Sequence, residues 1–358
     1  MKFHAFEKLC RWRFSMALPV ILVASALVAQ AQPGHSTLVV TSSNDPNNNT
    51  VEVFELNTGS TPSLSLAQQL STGGKGGAKG NGGIVQFDDR LGAVANFGSN
   101  TVSQLARFGN SIAVTRTLSL APDCTGPDSV ALSGDKLYVV GSNCAESHAW
   151  PAGYLDGSVV ALPDNSAAQI AAGKTWAAVT LKSGSVLQLP FYEDGALSGA
   201  SNPIALPSDA DDTPLGEAFW GDVLGFTPAH SPDSFAIVDA NQSVYPILGP
   251  APAFPSNAPC WVAKGPRSIW YTGNVPGQAV SVFFSDAQGG AFYKSVPVPG
   301  SPTDLAVSPD RKWLAVIYTA TDGAHVAVFA IDEYGDLTQA ATSPAIGAAG
   351  FSGVAFSQ

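Results

Sequence analysis

The sequence predicts an all-β fold, a seven-bladed β-propeller closed by pairing of its C-terminal strand into the first blade. Three observations support this prediction. Short segments rich in Val, Ala, Leu and Phe are separated by turn residues, and the 358 residues include 36 Gly and 26 Pro. A strand–turn–strand unit recurs along the chain, and no long stretch has helical periodicity. Finally, the two ends of the chain are complementary parts of one such unit.

The repeated unit is clearest in the segments 82–96, 127–143, 259–274 and 302–318. Each consists of a strand, a tight turn that holds Asp, Gly or Pro, and a second strand. The mean spacing of about 46 residues matches the four-stranded blade of a propeller. The second strands of the successive copies are predicted to begin near Leu38, Leu91, Leu137, Thr175, Phe235, Ile269 and Leu314.

The chain ends indicate how the ring closes. The first copy, which begins at Leu38, has no inner strand before it, whereas residues 350–357 have the pattern of an inner strand with nothing after it. Pairing of this last strand with the first copy completes a blade and protects strand edges that would otherwise stay open. We therefore expect a single domain over residues 32–358.

The propeller topology sorts the loops into two faces. Loops that enter each inner strand, and loops that join second and third strands, lie on the face where ligands usually bind, here called the mouth face. The turns between first and second strands lie on the opposite face, here called the turn face, and they hold Arg90, Arg267 and Arg311. The segments expected at the mouth face are the loops 71–83, 121–128, 208–222 and 254–261, and an insertion of blade 3, residues 142–157.

Residues 1–31 have the pattern of a secretory signal peptide. Four basic residues precede the apolar run 16–28, and Ala29-Gln30-Ala31 supplies a cleavage pattern of small residues. The alternative is a single membrane anchor, for which the apolar run is short. We expect cleavage before Gln32 and a secreted or periplasmic protein without a stable membrane anchor.

The charge of the chain excludes one class of partner. Its formal net charge is −11, and loss of the signal peptide, which carries four basic residues and one acidic residue, makes it −14. An acidic surface repels nucleic acid, so we expect no nucleic-acid partner and a monomer in solution. The acidic run 208–217 offers oxygen ligands for a divalent cation, but such a run is usually a solvated loop, and we expect no metal and no cofactor.

The cysteines predict one disulfide. Cys124 enters blade 3 and Cys144 leaves its second strand, so both are placed at the mouth face. Export permits a bond between them, and the alternative is a pair of buried free thiols. Cys260 is left over and is interpreted as a small buried residue near the channel rather than a nucleophile.

The Gly-rich loop, residues 71–83, contains seven glycines together with Lys75 and Lys79. Each lysine is followed by glycine, so the Gly-Lys-Ser/Thr signature of a nucleotide-binding loop is absent, and strands rather than a helix follow. We interpret the segment as the crossing from blade 1 to blade 2, whose glycines allow tight turns at the channel mouth.

Several blocks of sequence resemble one known family. They are Ser71-Thr-Gly-Gly with Gly82-Gly83, residues 95–103, the block Ala258-Pro-Cys-Trp-Val-Ala263, and residues 302–310. These are similar to segments of the seven-bladed propeller lactonases, which include 6-phosphogluconolactonases and 3-carboxymuconate cyclases. The resemblance implies the propeller fold and a lactone substrate. In the characterised cyclases of this family, catalysis is associated with His, Arg and Glu side chains around the channel.

Candidate catalytic residues follow from the chemistry of lactone hydrolysis, which needs a base and a group that stabilises the developing oxyanion. The inner-strand entrances supply neither His nor Arg, so Glu217 is paired with His148 of the blade 3 insertion, with Asp128 and Asp304 in support. Lys75, Lys79 and Trp261 are the candidate substrate-binding residues. The alternative is that the aspartates cap inner strands or bond to neighbouring blades and that the lysines are solvated.

Two functional hypotheses therefore remain. The first is an exported enzyme that hydrolyses or forms a lactone of a small anionic substrate at the channel mouth. The second is a non-catalytic propeller that binds a small molecule or a protein ligand on the same face. Fold alone does not decide between them.

Overall fold

A computed structural model describes residues 36–230, 234–248, 258–286, 288–347 and 350–358. The predicted signal peptide lies outside the described residues. The described part of the chain forms seven four-stranded antiparallel sheets. In blades 1 to 3 the strands are β1 (Thr37–Ser42), β2 (Thr50–Asn57), β3 (Ser63–Ser71), β4 (Val85–Asp88), β5 (Leu91–Asn96), β6 (Thr101–Phe108), β7 (Ser111–Ser119), β8 (Pro127–Ser133), β9 (Lys136–Gly141), β10 (Cys144–Ala149) and β11 (Val160–Ala161).

In blades 4 to 7 the strands are β12 (Ala167–Ala172), β13 (Trp176–Leu181), β14 (Ser185–Pro190), β15 (Asn202–Pro203), β16 (Pro214–Trp220), β17 (Val223–Pro228), β18 (Ser234–Val238), β19 (Val244–Leu248), β20 (Pro259–Lys264), β21 (Ile269–Asn274), β22 (Ala279–Asp286), β23 (Gly289–Pro297), β24 (Ser301–Val307), β25 (Trp313–Ala320), β26 (Gly323–Ile331) and β27 (Leu337–Thr342). The last strand is β28 (Ser352–Ser357). A single 3₁₀ turn, Phe97–Ser99, interrupts the strands within the described ranges.

The seven sheets form a closed ring, as the sequence predicts. The inner strands β4, β8, β12, β16, β20, β24 and β28 contact one another in this order, and β28 contacts β4 again. In blade 1, β1 pairs with β2 on one side and with the C-terminal β28 on the other. The prediction that the last strand completes the first blade is confirmed.

The core lies between successive sheets. Second strands such as β9 and β13 are buried along their whole length, because each sheet packs against a neighbour on both faces. A strand buried on both faces has a continuous apolar run rather than alternation. This explains why the repeat is readable from short Val- and Ala-rich segments.

Blade 5 differs from the prediction. Its second strand is β17, and Phe235, which the sequence placed in a second strand, lies in the third strand β18. The turn before β17 is made by Gly221, whose φ of 67° is accessible to glycine at little cost. A strand therefore begins about a dozen residues earlier than the apolar pattern suggested.

The expected insertion of blade 3 is also corrected. Residues 144–149, expected in a mouth-face loop, form the third strand β10 and pair with β9. This strand has no apolar pattern in the sequence, because Glu146, Ser147 and His148 are polar. In the structure all three are buried and hydrogen-bonded. The amide of Trp150 donates to the Asp135 carbonyl in the turn between β8 and β9, so this end of β10 lies at the turn face.

The predicted disulfide is present. Cys124 and Cys144 are bonded with their Cα atoms 5.4 Å apart, and the bond ties the loop entering blade 3 to the start of β10. Cys260 is a buried free thiol. A search of the described residues finds no helix of sufficient length and apolar character to span a bilayer.

Candidate functional site

The second half of the Gly-rich loop crosses the channel at the mouth face. The amide of Gly83 donates to Asp304 Oδ2 of blade 7 at 3.0 Å. The carbonyl of Gly83 accepts from the amide of Val130 in blade 3 at 2.9 Å. On the blade 4 side, Lys182 Nζ donates to the carbonyl of Lys79 at 3.0 Å. One short segment thus connects blades on opposite sides of the ring.

Gly82 is the tightest point of this crossing. A Cβ atom at this position would lie 2.4 Å from Gln169 Oε1 in blade 4 and 3.1 Å from Trp261 Cε3 in blade 6. Asn81 continues the crossing, because its carbonyl accepts from Ser352 Oγ of the closing strand at 3.2 Å. The absence of a side chain at Gly82 is therefore what lets the loop pass through the centre of the ring.

The first half of the loop is held by Asn44. Asn44 Oδ1 accepts from the amide of Gly77 at 2.8 Å, and Nδ2 donates to the carbonyl of Ala78 at 2.8 Å. A Cβ atom on Gly76 would lie 2.3 Å from the Asn44 backbone. The glycines of residues 71–83 therefore serve close packing, which agrees with their interpretation as an inter-blade crossing.

A first cavity, here called the mouth pocket, opens beside this loop and has a volume of about 420 Å³. It brings together Lys79 and Trp261, two of the predicted substrate-binding residues. The Trp261 ring is held by a hydrogen bond from Nε1 to the Pro302 carbonyl at 3.0 Å. The remaining lining is largely apolar, with polar groups at its edge; its principal members are Leu215, Cys260, Val275, Phe351, Asn44, Asn81 and Thr303.

A second cavity, here called the channel cavity, lies between the inner strands and has a volume of about 250 Å³. Glu217 and Asp304 line it, and so does Gln169. These three residues are buried, whereas Ala172 and Lys264, at the ends of their inner strands, are half-buried. The exposure of the lining residues therefore increases toward the turn face, and the Gly-rich loop lies at the opposite end of the channel cavity.

Glu217 has an unusual environment. Its side chain is 1% exposed, and neither carboxyl oxygen has a hydrogen-bond partner among the described residues. Gln169 holds the backbone at this point, since Nε2 donates to the Glu217 carbonyl at 2.9 Å and Oε1 accepts from its amide at 3.2 Å. Burial raises the pKa of the Glu217 carboxyl well above its usual range, and the nearby backbone amide of Ala171 offsets this only in part.

The two candidate aspartates anchor the Gly-rich loop. Asp304 accepts from the amides of Gly83 and Leu305 at 3.0 and 2.8 Å, and burial raises its pKa to about 7. Asp128 accepts from Asn81 Nδ2, and burial raises its pKa to about 6. Asp304 thus bonds to its own inner strand and to the entry of blade 2, and Asp128 of blade 3 bonds to the Gly-rich loop that enters the neighbouring blade 2. These contacts agree with the alternative interpretation, in which the aspartates have a structural role.

Two predicted site residues lie elsewhere. His148 Nε2 lies 2.8 Å from Glu146 Oε1, within blade 3, and the described lining of the two cavities does not include it. Glu217 and His148 are therefore not brought together, because His148 belongs to β10 rather than to a mouth loop. The backbone amide of Lys75 bonds to Ser99 Oγ at 3.0 Å, and this exposed lysine is outside the described lining of the mouth pocket.

Sequence reasoning missed Gln169 and Asn81. Gln169 is the one polar residue in Ala167-Ala-Gln-Ile-Ala-Ala172, and a lone polar residue in an apolar inner strand is a usable signal because burial requires a partner. Asn81 is the one amide side chain in the Gly-rich loop, and its residue type alone gives no signal because asparagine is common in turns.

Comparisons with known proteins establish the fold only. No protein-family model matches the chain, and no curated protein matches it. A putative 6-phosphogluconolactonase from Bacteroides fragilis is similar in structure, with 12% identity, a TM-score of 0.64, and coverage of 92% of this chain and 99% of that chain. The Kuenenia stuttgartiensis hydrazine synthase is similar with 12% identity, a TM-score of 0.56, and coverage of 84% and 94%.

A catalytically inactive virginiamycin B lyase from Staphylococcus aureus, solved with quinupristin, is also similar. The identity is 12%, the TM-score is 0.54, and the coverage is 79% of this chain and 92% of that chain. At such identities the likeness concerns the propeller architecture and carries no activity from one protein to another.

Proposed function

We propose that this protein binds a small molecule in the mouth pocket, with an apolar body against Trp261 and an anionic group near Lys79. One observation carries the proposal: two of the predicted binding residues and two of the predicted catalytic carboxyls line different cavities. Lys79 and Trp261 line the mouth pocket, whereas Glu217 and Asp304 line the channel cavity. This separation favours binding without catalysis, the second of the two hypotheses drawn from the sequence.

The mouth pocket has the properties of a small-molecule site. Its volume of about 420 Å³ is within the range of such sites, and its lining is apolar with few polar groups. Trp261 offers a flat apolar surface whose orientation is fixed by its bond to Pro302. The Cys260 thiol contributes volume rather than reactivity, since burial raises its pKa to about 12.

A matched ligand set tests the proposal. Cyclohexanecarboxylate and the uncharged cyclohexanecarboxamide are titrated into the protein and followed by protein-detected NMR. The carboxylate is expected to bind more tightly, and Lys79→Gln is expected to weaken its binding about tenfold. Lys174→Gln, the same change at an exposed lysine, is the control and should have no effect. Equal affinity of Lys79→Gln and Lys174→Gln for the carboxylate would contradict the proposal, and so would the absence of binding for both ligands.

Lactone hydrolysis in the channel cavity is the second candidate. It is favoured by Glu217, a buried carboxyl with a raised pKa and no partner among the described residues, which are properties of a general base or acid. A panel of lactones is incubated with the protein, and ring opening is followed by NMR. Loss of turnover in Glu217→Gln, but not in His148→Ala, would support this candidate. Absence of turnover for every lactone would favour the binding protein.

We also propose that the protein is exported. The bond between Cys124 and Cys144 supports this, because structural disulfides persist in oxidising compartments. Expression of the full chain, followed by N-terminal sequencing of the mature product, tests it. Cleavage before Gln32 is expected, and recovery of an uncleaved protein in the cytosolic fraction would contradict it.

A further inference from the structure

The channel cavity is a site separate from the mouth pocket. We infer that it binds a small organic ammonium ion, with the charged head at Glu217 and the alkyl part against the inner strands. Gly82 lies between the two cavities, since it packs on Gln169 of one and Trp261 of the other. A ligand of the channel cavity therefore enters from the turn face and does not compete with a ligand of the mouth pocket.

The unpaired carboxyl is the first argument. A buried polar group without a partner costs free energy, and native proteins rarely keep one without a role. The two carboxyl oxygens of Glu217 are such groups, and Glu217 belongs to the lining of the cavity, while Gln169 fixes its backbone with two hydrogen bonds. A cationic donor would pair with the ionised carboxylate, and the proton that the free protein keeps on Glu217 would be released to solvent on binding. A charge-assisted hydrogen bond is about twice as strong as a neutral one.

The remaining lining selects the kind of ligand. Beyond Glu217 and Asp304, the walls are mainly Ala, Val, Ile and Leu side chains, which suit an alkyl chain. The cationic side chain in the described lining is Lys264, and its Nζ already donates to the carbonyls of Gly265 and Ile269. An anion would thus meet two carboxyls and no available cation.

A metal ion fits this cavity less well than an ammonium ion. Metal ions need several ligands, and the described residues contain no cluster of three or more His, Cys, Asp or Glu side chains that could supply them. Both oxygens of Asp304 are already used by the amides of Gly83 and Leu305. A single free carboxyl with apolar walls is sufficient for an alkylammonium head.

Access to Glu217 needs only a small adjustment. Its oxygens present almost no surface in this conformation, although the residue lines the cavity. The terminal torsion of a glutamate side chain is soft, so rotation of the carboxyl can turn one oxygen toward the cavity. The acidic net charge of the chain, −11, also raises the local concentration of cations near its surface.

Three probes of the same chain length test the inference, namely pentylammonium, pentanol and pentanoate. Each is titrated at neutral pH into the intact protein and followed by protein-detected NMR. Pentylammonium is expected to shift the amides of inner-strand residues such as Ala171 and Ala263, and the other two probes are not. Glu217→Gln, which keeps the shape and removes the ability of the side chain to ionise, should weaken pentylammonium binding at least about tenfold.

The controls separate this inference from general electrostatics and from the mouth pocket. Glu193→Gln makes the same change at an exposed glutamate and should leave pentylammonium binding unchanged. Thermal unfolding of both variants shows whether they are folded. Equal binding of pentanol, or undiminished binding to Glu217→Gln, would overturn the ammonium assignment. Failure of all three probes would overturn it too, and would leave carboxylate binding at the mouth pocket unaffected.

Discussion

The amide of Gly83 donates a hydrogen bond to Asp304 Oδ2 at 3.0 Å, joining the entry of blade 2 to the inner strand of blade 7. The two residues are separated by most of the chain, and the bond crosses the central channel. Asp304 Oδ1 also accepts from the amide of Leu305 at 2.8 Å, so both carboxyl oxygens bond to backbone amides, one in the Gly-rich loop and one in the inner strand of blade 7. Asp304 therefore positions the segment that separates the two cavities.

The stability of the protein should depend on pH through Asp304. Burial raises its folded-state pKa to about 7, so the folded state retains a proton that the unfolded state has lost above about pH 4. Folding stability should therefore fall as the pH rises from about 4 to about 7. Asp304→Asn should be less stable overall, by about 1–3 kcal/mol for the unpaired amide donor, but should have a flatter pH profile.

Urea unfolding at several pH values measures this effect. Asp88→Asn, at an exposed position of β4, is the control and should have the pH profile of the unchanged protein. Parallel profiles for Asp304→Asn and the unchanged protein would show that Asp304 does not titrate as its burial requires.

Gly82→Ala should destabilise the fold. The new Cβ would lie 2.4 Å from Gln169 Oε1, so either the loop or the Gln169 side chain must move. Overpacking of this kind costs about 1–3 kcal/mol, measured by urea unfolding. Gly59→Ala, in an exposed turn where the Cβ would meet only the Asn57 side chain, should stay within about 0.5 kcal/mol of the parent. Equal stability of the two variants would contradict the tight crossing at Gly82.

The architecture could be predicted from the sequence because propeller blades repeat. Seven phased copies and an unpaired terminal strand were enough to give the ring and its closure, since each blade needs the same turns and buried runs. The prediction was wrong for the second strand of blade 5, β17, because this strand contains Gly225 and follows a glycine turn. The apolar segment around Phe235 therefore gave the stronger strand signal.

The candidate site was harder to predict for a different physical reason. Loop order assigns a residue to a face of the ring but does not show which residues the Gly-rich loop separates. Lys79 and Trp261 were both expected at the mouth face, and the structure brings them into the lining of one pocket. His148 was misplaced because a strand of buried polar residues does not have an apolar pattern, and its partner Glu146 lies only two residues away.

Removal of the disulfide should lower the stability. Cys124 and Cys144 are 20 residues apart, and a loop of this size contributes about 3 kcal/mol in the chain-entropy model. The double variant Cys124→Ser with Cys144→Ser should therefore unfold at a lower urea concentration. Addition of a reducing agent should destabilise the unchanged protein and have no effect on the double variant. If reduction changes neither protein, the bond does not contribute to the stability.

Glu217→Gln should reverse the usual effect of a core substitution. The folded state holds Glu217 protonated because burial raises its pKa well above the usual range, whereas the unfolded state ionises near its ordinary pKa of about 4.3. As the pH rises above that value, the unchanged protein loses up to about 1.4 kcal/mol of stability per pH unit from this group, until the folded pKa is reached. Glutamine does not titrate, so the variant should match the parent in acid and exceed its stability at alkaline pH.

Urea unfolding of both proteins across this pH range measures the difference in stability, and the control Glu193→Gln should show none. A variant less stable than its parent at every pH would mean that the carboxyl has a partner in the folded state.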